Sequence, residues 1–158
     1  MEISKAIWES MLDAEMNERY WAHLSRNYYK KDRLIKIILA ITTSGTVASW
    51  GFWVDFQILW KVSSAVAGII AIIFPFLKLE SAIDKMATIK GKWKKVLSDY
   101  EILWLYKKKK TENETIEEYR KIKEKENEIE EDNFPIKKRL ISKIQDEVIK
   151  SRGISNKN

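Results

Sequence analysis

Two uncharged runs hold the few polar side chains whose type and spacing could do more than fill space. In the first, Thr42, Gly45, Thr46 and Ser49 recur at steps of three and four, so a helix would align them on one side. In the second, Ser64 and Gly68 stand four apart, as do Ala67 and Ala71. Small residues let helices approach closely, and hydroxyls can bond across the contact. In an oligomer the same weakly polar side could border a conduction path. Packing and pore lining are both open from these residue types. Pro75, in "FPF", removes a backbone donor near the end of the second run, which predicts a kink and marks a candidate hinge.

Elsewhere little can do covalent or metal chemistry. The chain has no cysteine and one histidine, His23, so it holds no disulfide, thiolate ligand or thiol nucleophile. HExxH, GxSxG, a glycine-rich phosphate loop and paired aspartates are missing. His23 reads as a packed or exposed structural side chain. The carboxylates of "EKENEIEED" read as a solvated helix face. No enzyme, cofactor or metal site is expected.

The two runs set the architecture. No charge occurs from Ile37 to Val54 or from Val62 to Leu77, and each run approaches the roughly 20 residues a helix needs to cross the hydrocarbon of a bilayer. The slightly negative mean hydropathy of the 158 residues averages these runs with a polar tail. Between them stands "ASWGFWVDFQILWK", residues 48 to 61, where Trp50, Trp53, Phe56 and Trp60 suit an aromatic belt at one membrane face. Gly51 and Asp55 would lie at the tip, and Lys61 could extend its ammonium outward. A reversal this short predicts an antiparallel transmembrane hairpin over 34–79, with its tip near 51–56. Arg26, Lys30, Lys31, Arg33 and Lys36 precede the first run. Lys78, Lys85, Lys90, Lys92, Lys94 and Lys95 follow the second, whereas the tip offers only Asp55 and Lys61. Positive flanks stay inside, so both termini are expected in the cytoplasm. The thirty-odd mixed residues before the first run argue against a cleaved leader.

The fold class expected is all-α. Residues 1–33 make an amphipathic helix whose stripe is Ile3, Ile7, Trp8, Met11, Leu12, Met16, Tyr20, Leu24 and Tyr28. Residues 80–107 extend the second span as one long helix with a stripe through Ile83, Met86, Trp93, Leu97, Tyr100 and Trp104, and the two stripes are expected to pack together. Residues 108–158 form a charged helical region. There Thr115 and Glu118 match a capping box, opening a helix to about Glu131. Asn133 would cap the last helix, with Pro135 just inside its start and "ISNKN" an unstructured end. The formal charge of +6 and the run Lys107 to Lys110 suit anionic lipid or a helix C-terminus better than nucleic acid.

Taken in order, an aromatic N-terminal helix, "ERYWAHLSRNYYKKDR" entering a span, a tight hairpin and a second span running into a helix bearing Lys, Trp and Tyr resemble the SLATT families, two-transmembrane effectors of bacterial conflict systems. The likeness covers roughly residues 5 to 130. It implies a bacterial inner-membrane effector of antiviral defence, acting as a homo-oligomer that forms a pore or disturbs the bilayer. A separate sensor or signal-producing protein would trigger it. The alternative is a membrane-tethered scaffold that recruits a cytoplasmic partner without conducting.

Overall fold

The computed structural model describes residues 2–43, 57–130, 134 and 136–153, and of 43, 57, 59 and 60 the backbone alone. Among these residues the chain is all-α, with no strand. Its α-helices are α1 (Glu2–Thr43), α2 (Gln57–Ile73), α3 (Leu79–Tyr106), α4 (Glu112–Asn127) and α5 (Lys138–Ser151), with 3-10 turns at Phe74–Leu77 and Lys107–Lys109. They form two compact units: one joins residues 1–24 with 85–158, the other holds residues 25–84.

In the first unit the core is a seam of helices. Along α3 the buried residues are Met86, Ile89, Trp93, Val96, Tyr100 and Leu103, a strict alternation of three and four that keeps one side of a helix against a partner. From α1 come Ile7, Met11, Ala14, Tyr20, Trp21 and Leu24, and from α4 and α5 Ile122, Ile144 and Val148. Trp8 lies 5.1 Å from Trp104, ring to ring, and Trp21 stands edge-on to Phe134 at 5.6 Å. The two expected stripes therefore meet, with the α3 face turned slightly: Ile89, Val96 and Leu103 go inward, and Leu97 and Trp104 flank them.

Polar ties join the helices around this seam. Tyr100 donates to Glu126 at 2.7 Å, and Lys123 approaches the same carboxylate at 3.0 Å. Burial first, then the bond to Glu126, pushes the Tyr100 phenol well above its ordinary value, so it stays protonated. Ser10 and Tyr119 share a hydrogen bond of 3.0 Å. Glu15, buried on α1, accepts from Arg19 at 2.5 Å and from Arg152 at 2.6 Å, and Arg152 also reaches Glu101 at 2.7 Å. Burial lowers the Arg152 pKa, but the bonds to Glu101 and Glu15 more than offset it. His23 faces Glu147 at 3.5 Å.

The capping box sits four residues before its expected place. Thr111, not Thr115, caps α4: its hydroxyl accepts from the Glu114 N–H at 3.3 Å while the Glu114 carboxylate accepts from the Thr111 N–H at 2.8 Å. Thr115 is buried instead, donating its hydroxyl to the Thr111 carbonyl at 2.9 Å. Both threonines have a glutamate three residues on, and burial of the second decides between them. The helix ends at Asn127 rather than near Glu131, and α5 begins at Lys138 without a side-chain cap. Asn133, Pro135 and "ISNKN" lie outside the described residues.

The Thr111 N–H and hydroxyl hold the Glu114 carboxyl below its usual range. Its contribution to α4 is thus present above the ordinary glutamate pKa and lost as pH falls through the depressed folded value. Thr111→Ala should cost about 1 kcal/mol. Amide exchange at residues 112 to 115 should quicken in this variant, and its pH dependence near the glutamate range should flatten.

Candidate functional site

The second unit presents the surface that sets this chain apart. One helical run, beginning at Lys61, is long and apolar enough to cross a membrane by length and composition, and only 6% of its qualifying 18-residue stretch is buried. Ile58, Val62, Val66, Ile69, Ile72 and Ile73 on α2 are exposed, as are Phe76 and Leu77 beyond it. On α1, Leu34, Ile37, Ile38 and Ile41 are exposed too. Large contiguous apolar surface of this kind marks a site that meets another apolar medium.

Among the described side chains of α2, Ala67 is buried, while Ser64 and Gly68 face outward. A Cβ placed on Gly68 would meet nothing within 4 Å. The Ser64 and Gly68 pair is thus displayed, and of the second pair Ala67 is turned inward while Ala71 is exposed. Thr42 on α1 donates its hydroxyl to the carbonyls of Ile38 at 2.9 Å and Leu39 at 3.1 Å, the local bonding that lets a hydroxyl sit in apolar surroundings. Gly45, Thr46, Ser49, Trp50, Trp53 and Phe56 lie outside the described residues, and Trp60 is described by its backbone alone.

Helix α2 does not run on unbroken, as expected of one long helix. At Phe74–Leu77 it tightens into a 3-10 turn with Pro75 in its first positions, and Lys78 closes the turn in the left-handed region at φ 45°. Proline cannot donate to the carbonyl four residues back, so the α-ladder fails here. The Lys78 carbonyl then accepts from Ala82 at 3.0 Å to begin α3. A non-glycine residue in this region is strained by about 1–2 kcal/mol.

Charges gather beside the apolar surface. Lys36 pairs with Asp32 at 2.9 Å and with Glu80. Asp32 is buried, and its Oδ1 meets no hydrogen-bond partner among the described residues. Arg26, Lys30 and Arg33 are exposed on the same helix. Sequence reasoning used them only as flanking charge, although their spacing of four and three was there to read.

Among the described residues no three His, Asp or Glu side chains gather to hold a metal ion. Compared with family models, curated proteins and solved structures, the chain finds no match in any of the three.

Proposed function

We propose that this chain is a membrane effector. Residues 34–79 form an antiparallel transmembrane hairpin with both termini in the cytoplasm, and copies assemble through small-residue faces to breach the bacterial inner membrane on a partner's signal. The observation that carries this reading is the exposed α2 surface, uncharged from Val62 to Ile73 and interrupted there by displayed small residues such as Ser64 and Gly68. In water such a surface is costly; in lipid it is satisfied, and the small residues give a second copy a place to approach. The SLATT likeness agrees with it. Two helices cannot enclose a path, so conduction requires several copies.

A reporter fused at Asp55 should behave as extracytoplasmic and reporters at either end as cytoplasmic; a cytoplasmic signal at Asp55 would sink the hairpin. Crosslinking in mild detergent should trap a homo-oligomer, and induced cells should leak dye. Gly68→Leu adds bulk where the lone chain has open space. It should leave insertion intact while abolishing both the crosslinked ladder and the leak, and an unchanged leak would remove this face from the mechanism.

The second reading, a membrane-tethered scaffold, draws on a different surface. Ile102, Leu105 and Tyr106 are exposed on α3 in the first unit, where they could receive a cytoplasmic partner. Dye retention by an oligomer that forms normally would favour it.

A further inference from the structure

Helix α1 carries a face that changes character along its length. Arg26, Lys30, Arg33, Ile37 and Ile41 follow one another at steps of four, three, four and four. At 100° per residue they stay within a sector of about 80°. All five are exposed. The face is cationic at first and apolar after Arg33, without an acidic residue on it.

Its cations are unspent. Lys36, on another side of the helix, is neutralised by Asp32 and Glu80. Arg26, Lys30 and Arg33 make no ion pair among the described residues. Lys31 points elsewhere, its ammonium 6.0 Å from the Tyr28 ring. From Arg26 to Arg33 the helix rises about 10 Å, enough to cover the depth of one leaflet's headgroups, roughly 5–7 Å. Arginine presents a planar fork that matches phosphate, and the long stems of both residue types lie along apolar surface while their heads stay polar.

We infer that Arg26, Lys30 and Arg33 form a binding face for the phosphates of anionic phospholipid in the cytoplasmic leaflet, with Ile37 and Ile41 against the acyl chains of the same lipids. This inference rests on the membrane reading above. The ligand is a lipid headgroup rather than free phosphate or nucleic acid, because the apolar continuation of the face has a use only if the anion carries a hydrocarbon chain.

The test uses the full chain, purified in non-ionic detergent, and native mass spectrometry against equal amounts of phosphatidylglycerol and phosphatidylcholine. Phosphatidylglycerol should be retained preferentially. Each cation near a membrane surface strengthens attraction to anionic lipid about fivefold, so Arg26→Gln/Lys30→Gln/Arg33→Gln should weaken retention about a hundredfold. The charge-matched triple Lys92→Gln/Lys94→Gln/Lys95→Gln, on α3, should keep the preference, and Arg26→Lys/Arg33→Lys should keep most of it. Helicity by circular dichroism should be unchanged in every variant. Equal retention of the two lipids by the unaltered protein, or equal loss in both triple variants, overturns the inference. So does a single-stranded oligonucleotide that displaces the lipid and depends on the same three residues. Extraction of the protein from vesicles by alkaline carbonate would overturn the membrane reading itself, whereas firm insertion without lipid preference overturns only the headgroup face.

Discussion

Ile69→Asp is expected to keep most of the protein out of the membrane. Ile69 sits near the middle of the uncharged run from Val62 to Leu77, 57% exposed, and a carboxylate at the centre of a spanning helix costs about 3 kcal/mol by insertion scales, with a few tenths more from the lost isoleucine. That is a change of more than a hundredfold between inserted and uninserted chains. In an aqueous setting the same substitution on an exposed helix position stays within about 1 kcal/mol, set by helix propensity, and improves solubility. The two settings thus predict opposite outcomes. Fractionation of cells, followed by carbonate extraction of the membrane pellet, reads them apart: an Ile69→Asp protein that remains firmly in the pellet would end the case for α2 as a span.

The second large effect lies in the other unit. Tyr100 has no exposed surface, and Tyr100→Ala should destabilise the helical module by about 3–5 kcal/mol, the cost of a large buried cavity. Tyr100→Phe keeps the ring and removes the donor to Glu126. Its cost should be nearer 1–3 kcal/mol, because the carboxylate is left with Lys123 alone. Chemical denaturation followed by circular dichroism would rank the two variants, and a Phe variant as unstable as the Ala variant would show that the hydrogen bond, not the ring, holds the seam. Since stabilities of single domains run to about 5–15 kcal/mol, the Ala change alone approaches the threshold for unfolding.

Much of this was legible because apolar spacing reports helix faces directly. Ile7, Met11, Tyr20 and Leu24 on α1 and Met86, Trp93 and Tyr100 on α3 stood out at steps of three and four, and they are buried. The choice between neighbouring faces was not legible. On α3, Leu97 and Trp104 are as apolar as Val96 and Leu103, so periodicity alone fits two overlapping stripes, and the packing of α1, α4 and α5 selects one. The Glu15, Arg19, Glu101 and Arg152 cluster left no trace in the sequence, since its members lie on three segments and local spacing says nothing about ends that meet only after folding. Ser64 with Gly68, and Ala67 with Ala71, were distinguishable as pairs from spacing, but that Ala67 alone of the four is buried depended on what packs against it.

The left-handed Lys78 also bears on how this chain can change in length. Adding one residue inside an unbroken α-helix turns everything beyond it by about 100°, which would carry the α3 seam off its partners if the apolar helix grew. The 3-10 turn and its left-handed closing residue, at Phe74 to Lys78, divide the run into two helices that need not share a phase. An insertion there leaves Ala67 and Gly68 in register with α2, and Met86 and Ile89 in register with α3. The length of the apolar helix is free to drift without disturbing the folded module downstream.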